Sequence, residues 1–97
     1  MKAVLIFKRG SIEPNGDRIE AVIWRIPASG RIREKIRYRI AFIPVGFGVP
    51  VVLYDNHEPK GHHKHLAGVE GPYAFSDIAA LIRDFEADVE DWKESRV

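Results

Sequence analysis

The chain of 97 residues contains no cysteine. That absence excludes a disulfide scaffold, thiolate zinc sites and thiol catalysis, and it leaves the redox compartment open. Long apolar runs are missing too. Near the N-terminus Ala3 to Phe7 gives only five apolar residues before Lys8 and Arg9, too few for a signal-peptide core or a bilayer span. The stretch reads as a first strand in a cytoplasmic protein without membrane contact. There are no internal repeats, low-complexity tracts or interdomain linkers. A helix-turn-helix pair, a paired-cysteine finger, an HExxH helix and a glycine-lysine nucleotide loop are absent as well, which disfavours sequence-specific DNA reading and the commonest metal and nucleotide sites.

What is present fits one globular domain spanning residues 1–97. Apolar residues make up 45% and charged residues 30%, which argues against global disorder. A core of this size is marginal and leans on good packing or on a partner surface; a homodimer is one way to supply it. The net charge of +1 hides an asymmetry. Residues 1–60 carry eleven Lys or Arg and six Asp or Glu, whereas residues 61–97 carry four and eight. The first part suits a polyanion and the second repels one.

Residues 2–9 read as a strand, Ser11 to Asp17 with Asn15-Gly16 as a turn, and Arg18 to Ile26 as a second strand closed by Pro27 and Gly30. The second strand has apolar residues on both faces, which places it centrally in the sheet. In IREKIRYRIAFI the period is two: Ile32, Ile36, Tyr38, Ile40 and Phe42 point one way, and Arg31, Arg33, Lys35, Arg37 and Arg39 the other. Arginine's planar fork fits phosphate or carboxylate recognition, so this face is a candidate phosphate-binding or protein-binding surface. VVLY makes a fourth strand ending at Asp55-Asn56, and His57 to Gly71 reads as a long functional loop. From Ser76, taken as the cap with Asp77 in the first turn, apolar residues recur at three- and four-residue spacing to Trp92, with an acidic outer surface. The expected fold is α+β: a mostly antiparallel sheet of about four strands packed on one face by a long C-terminal helix, its other face left available.

All four histidines fall within nine residues, at positions 57, 62, 63 and 65 of HEPKGHHKH. His57, His62, His63 and His65 with Asp55 or Glu58 form one candidate set of metal ligands. The other reading needs no metal or cofactor. RNA carries its own nucleophile, the 2′-hydroxyl. Cleavage by internal attack needs a base for that proton, an acid for the leaving 5′-oxygen, and cations for the added phosphoryl charge. His63 and His65, two apart, share one side of an extended segment, with His62 facing away. They are the candidate acid and base, Asp55 the residue that fixes a histidine tautomer, and Lys60 with Arg37 or Arg39 the cations. Arg33, Lys35, Arg37, Arg39 and Lys64 are the expected phosphate contacts, and Tyr54, Asn56 and Gly61 the supporting residues.

The segments AVIWRIP (21–27), KIRYRIAFI (35–43), LYDNHEPKGHHKH (53–65) and GPYAFSDIAALIRDFEADVEDW (71–92) resemble the TumE-like toxin family of prokaryotic type II toxin–antitoxin systems. The resemblance spans most of the chain, and its most specific part is Tyr54-Asp55-Asn56 followed by Lys60-Gly61 and the histidines. His62 departs from the pattern, standing where the family would place an acidic residue, which weakens a metal site built on that acidic side chain unless His62 replaces it as a ligand. The resemblance implies a toxin with a cognate DNA-binding antitoxin as partner. Combined with the residue chemistry, the expectation is a metal-independent endoribonuclease acting on RNA. Its rivals are a non-catalytic protein-binding toxin and a metal-dependent nuclease.

Overall fold

The structure is a computed structural model that describes residues 2–31, 33–57 and 60–96. Ile32, read above as part of the third strand, and Glu58, read as a carboxylate beside the histidines, lie outside the described residues. Among the described residues, six antiparallel strands follow one another in a meander: β1 (Val4–Ile12), β2 (Arg18–Ile26), β3 (Lys35–Ile43), β4 (Val52–Asp55), β5 (His63–Leu66) and β6 (Val69–Pro72). Helix α1 (Ile78–Glu94) then returns across one face. The α+β class and the helix-backed antiparallel sheet match the sequence reading, but the strand count is six. β5 lies inside the segment His57 to Gly71, whose sequence pattern reads as a loop, and β6 begins inside it and ends one residue past it.

Each boundary has a local cause. Between β1 and β2 the chain turns through Glu13 to Asp17, where Gly16 takes φ +97 and its N–H donates to the Glu13 carbonyl. Between β5 and β6 only Ala67 and Gly68 intervene, with φ of 50 and 85, the double positive φ of a two-residue hairpin turn whose twist suits the flanking strands. Helix α1 is capped by Asp77, not Ser76: the Asp77 carboxylate accepts from the Ala80 N–H at 2.8 Å. Arg31 and Arg33 fall in the exposed connection before β3, so the strand itself carries only Lys35, Arg37 and Arg39 of the expected basic series.

The core lies between the sheet and α1. Ile23 from β2, Ile40 and Phe42 from β3, and Val52 and Tyr54 from β4 pack with Leu81, Phe85 and Val89. These helix positions are four apart and form one stripe. Sheet and helix are also joined by polar contacts. The buried Tyr54 hydroxyl donates to the Asp88 carboxylate, which also receives Lys64 Nζ at 3.2 Å, and the Tyr73 hydroxyl donates to Asp84 at 2.6 Å. Burial foremost, then these carboxylates, pushes both tyrosine hydroxyls above their ordinary range and keeps them as donors. Asp84 and Asp88 therefore face the sheet and do not belong to the acidic outer surface assigned to the helix.

Asp17 ties the first hairpin to the loop after β3. It is 5% exposed, accepts from the Val45 N–H at 2.8 Å and takes the Asn15 amide at 2.9 Å. The Val45 bond first and the Asn15 bond second hold its carboxyl below the usual carboxylate range. A group lowered in this way stabilises the fold fully above its unfolded value of about 3.9, and the contribution is lost as pH falls through the lowered folded value. Asp17→Ala is expected to cost about 1–3 kcal/mol at neutral pH, since the Val45 N–H loses its acceptor. The difference in denaturation midpoint between variant and parent should shrink as the solution is made strongly acidic.

Candidate functional site

Alternation along the strands sends one set of side chains to α1 and the other to the open face of the sheet. On the open face the register forms two rows. In one, Val22, Arg39, Asp55 and His63 are successive cross-strand partners; in the next, Ala41, Leu53, His65 and Glu70 are. Directly opposed residues in antiparallel strands have Cβ atoms about 4.5–5.5 Å apart. The register alone thus brings an arginine, two carboxylates and two imidazoles into one patch.

The contacts within the patch are specific. The rings of His63 and His65 lie 5.2 Å apart, nearly perpendicular at 73°. His63 is 7% exposed. Its Nδ1 lies 2.8 Å from the Gly61 carbonyl and its Nε2 lies 3.1 Å from Asp55 Oδ1. Both partners are acceptors, so a ring with a proton on each nitrogen satisfies both contacts. Asp55 is itself fixed, since the same Oδ1 accepts from the His57 N–H at 3.0 Å. His65 is more open, and its Nε2 lies 3.7 Å from Glu70 Oε1. Lys60 reaches the patch through Glu70, meeting its two carboxylate oxygens at 2.8 and 3.1 Å. That ammonium is the first cause of the lowering of the Glu70 carboxyl below its ordinary value, with His65 and His63 adding smaller effects.

Several expected site residues stand elsewhere. Lys64, between the two histidines, points to the helix side, where its Nζ meets Asp88 and sits 5.5 Å above the Tyr54 ring. It is a latch between β5 and α1 and not a phosphate contact on the open face. Tyr54 is fully buried under the helix, with its hydroxyl on Asp88. Asn56 extends the sheet: its side-chain oxygen accepts from the Tyr38 N–H at 2.9 Å and its amide donates to the Ile36 carbonyl. Gly61 supplies the carbonyl that meets His63, from a φ of +73 that favours glycine.

Nor do the four histidines converge. His62 faces away from His63, as alternation requires. Its Nδ1 lies 2.8 Å from the Tyr38 hydroxyl, and its ring stacks on Phe75 at 4.9 Å. Burial pushes the Tyr38 hydroxyl up, which keeps it protonated. His57 is exposed beside Arg37 and Asp55. Among the described residues, the group that could hold a metal ion is His63, His65 and Glu70, whose ligand atoms all lie within 4.8 Å of one another. The sequence reading leaves Glu70 out. Its signal is the Leu66-Ala67-Gly68-Val69 turn, which sets Glu70 opposite His65.

A family model described as "Toxin TumE" matches residues 4–93. The chain belongs to the TumE toxin family. The match covers β1 to the last turn of α1, so both rows of the open face lie inside the TumE region. A toxin family implies an antitoxin partner in general. No curated protein and no solved structure matches the chain. Among the described residues, no helix is long and apolar enough to cross a membrane.

Proposed function

We propose that this TumE-family toxin cleaves RNA at its phosphodiester backbone, using imidazole acid–base chemistry on the open face of the sheet. The observation that carries the reading is the placement of His63 and His65, rings 5.2 Å apart, in the patch that Asp55, Arg39 and the Lys60–Glu70 pair share. His65, the more accessible ring, takes the proton of the 2′-hydroxyl. The 2′-oxygen bonds to phosphorus, and the bond from phosphorus to the 5′-oxygen breaks. His63 turns its Nε2–H from Asp55 Oδ1 to that oxygen and delivers the proton there, leaving a 2′,3′-cyclic phosphate and a 5′-hydroxyl. Asp55 is a positioning residue that fixes the ring of His63. Arg39, with Lys60, faces the charge that builds on the phosphoryl oxygens.

A second reading, a metal-dependent nuclease, rests on His63, His65 and Glu70. The pairs His63–Glu70 and His65–Glu70 are 3.9 and 3.7 Å apart, near the separation of about 3.4 Å expected between ligands of a tetrahedral zinc. Against it, the Lys60 ammonium already meets both oxygens of the one carboxylate such a site would use. Cleavage of a labelled RNA by purified protein after dialysis against excess chelator separates the two. Retained cleavage supports the imidazole mechanism; loss that zinc or manganese restores overturns it. Intact RNA under every metal condition, together with growth arrest on expression, leaves the non-catalytic toxin.

Phosphate contact also has a thermodynamic signature. Arg39→Ala is expected to weaken binding of single-stranded RNA and to reduce the slope of log affinity against log salt by about 0.7, the value for one neutralised phosphate. A titration of affinity across salt concentrations measures it.

A further inference from the structure

On an antiparallel sheet covered on one face, the other face normally carries polar side chains. Strand β2 breaks that rule. Val22 and Trp24 point to the open face, away from α1, as direct partners of Arg39 and Arg37. With Asp55 and His57 they line a cleft of about 370 Å³, within the range of about 300–1,000 Å³ common for small-ligand sites. The cleft adjoins the histidine patch, since Asp55, in its wall, has Oδ1 3.1 Å from His63 Nε2. An indole set among two guanidinium groups and an imidazole is the composition that takes an unpaired base: a ring face to stack on, and cations for the adjoining phosphate.

We infer that Trp24 and Val22, with Arg37 and Arg39 at the wall, form a nucleobase subsite that seats one unpaired base of single-stranded RNA next to the phosphate held at His63 and His65. This rests on the RNA reading of the site and adds to it a position for a base. Stacking tolerates every base, so the subsite selects single-stranded over paired RNA more than it selects sequence.

The test uses the full chain carrying His65→Ala, so that the probe stays intact, and a fluorescent single-stranded RNA oligonucleotide read by anisotropy. A strand of the same length without bases serves as the second probe. Adding Trp24→Ala is expected to weaken binding of the base-bearing strand by roughly 5- to 100-fold, the range for loss of one stacked base. Affinity for the abasic strand should stay unchanged, and Trp24→Phe, which keeps a stacking face, should remain within a few-fold of the parent. Equal affinity of Trp24→Ala and parent for the base-bearing strand overturns the subsite while leaving the RNA reading intact. Equal weakening on both probes also overturns it, because the loss would then lie in fold or phosphate contact. If the parent binds neither probe, the subsite and the RNA reading fall together.

Discussion

Replacing His65 by alanine is expected to lower RNA cleavage by roughly 10²- to 10⁴-fold, the usual contribution of a positioned acid or base, while fold and RNA affinity remain close to those of the parent. The expectation follows from where the ring sits. His65 belongs to a strand whose other face, through Leu66 and Lys64, packs on the core and on Asp88, so removing the open-face imidazole touches none of the contacts that fasten β5 to the core and the helix. His63→Ala should reduce turnover by a similar factor but also cost stability, because that ring is nearly buried and bonded to Gly61 and Asp55. Single-turnover cleavage, with thermal melting of each variant, separates the two effects. Undiminished cleavage by both variants would remove the acid–base assignment.

Phe85→Ala is the second large effect, and it concerns stability. Phe85 is 3% exposed, sits mid-stripe on α1 and meets the Tyr54 ring edge-on with centroids 5.9 Å apart. Truncating a buried phenylalanine costs about 3–5 kcal/mol. A domain of this size has about 5–15 kcal/mol in all, and each kcal/mol moves its melting midpoint by about 4–8 °C. The variant should melt at least about 12 °C below the parent or fail to fold, as read by the circular dichroism of α1. A shift of only a few degrees would mean that the helix stripe is not the main attachment to the sheet. Phe85→Leu, which refills most of the volume, should recover much of the loss.

The parts of the fold that the sequence disclosed are those where one face is apolar and the other charged. β3 shows this best: Ile36, Tyr38, Ile40 and Phe42 turn to the core, while Lys35, Arg37 and Arg39 turn outward. The bounds of β2 and the stripe on α1 were legible for the same reason. β5 and β6 were not. His63-Lys64-His65-Leu66 has polar residues on both faces, because the helix side of that edge carries Asp88 and Asp84 and so accepts Lys64 and a tyrosine hydroxyl. Hydrophobic alternation cannot report a strand whose covered face is partly ionic. The same period of two that pairs His63 with His65 assigns Lys64 to the opposite face, where it meets Asp88 and not a phosphate. Asp77 displaced Ser76 as the cap because Asp77 itself takes the extended conformation, φ −153 and ψ 173, from which its carboxylate reaches the Ala80 N–H. Glu70 required a pairing register, which is set by the Ala67-Gly68 turn and not by hydrophobic alternation.

That turn has a further consequence. β5 serves two masters, His63 and His65 toward solvent and Lys64 and Leu66 toward the helix, and the hairpin sets Glu70 against His65 through a link two residues long. Inserting or deleting a single residue upstream in β5 would invert every side chain beyond it, exchanging imidazole for ammonium on both surfaces at once. Length changes in this segment should therefore be tolerated far less well than substitutions. The ribbon that carries the proposed acid–base pair also fastens the helix through Lys64 and Leu66, so a swap in place is the change it is expected to absorb.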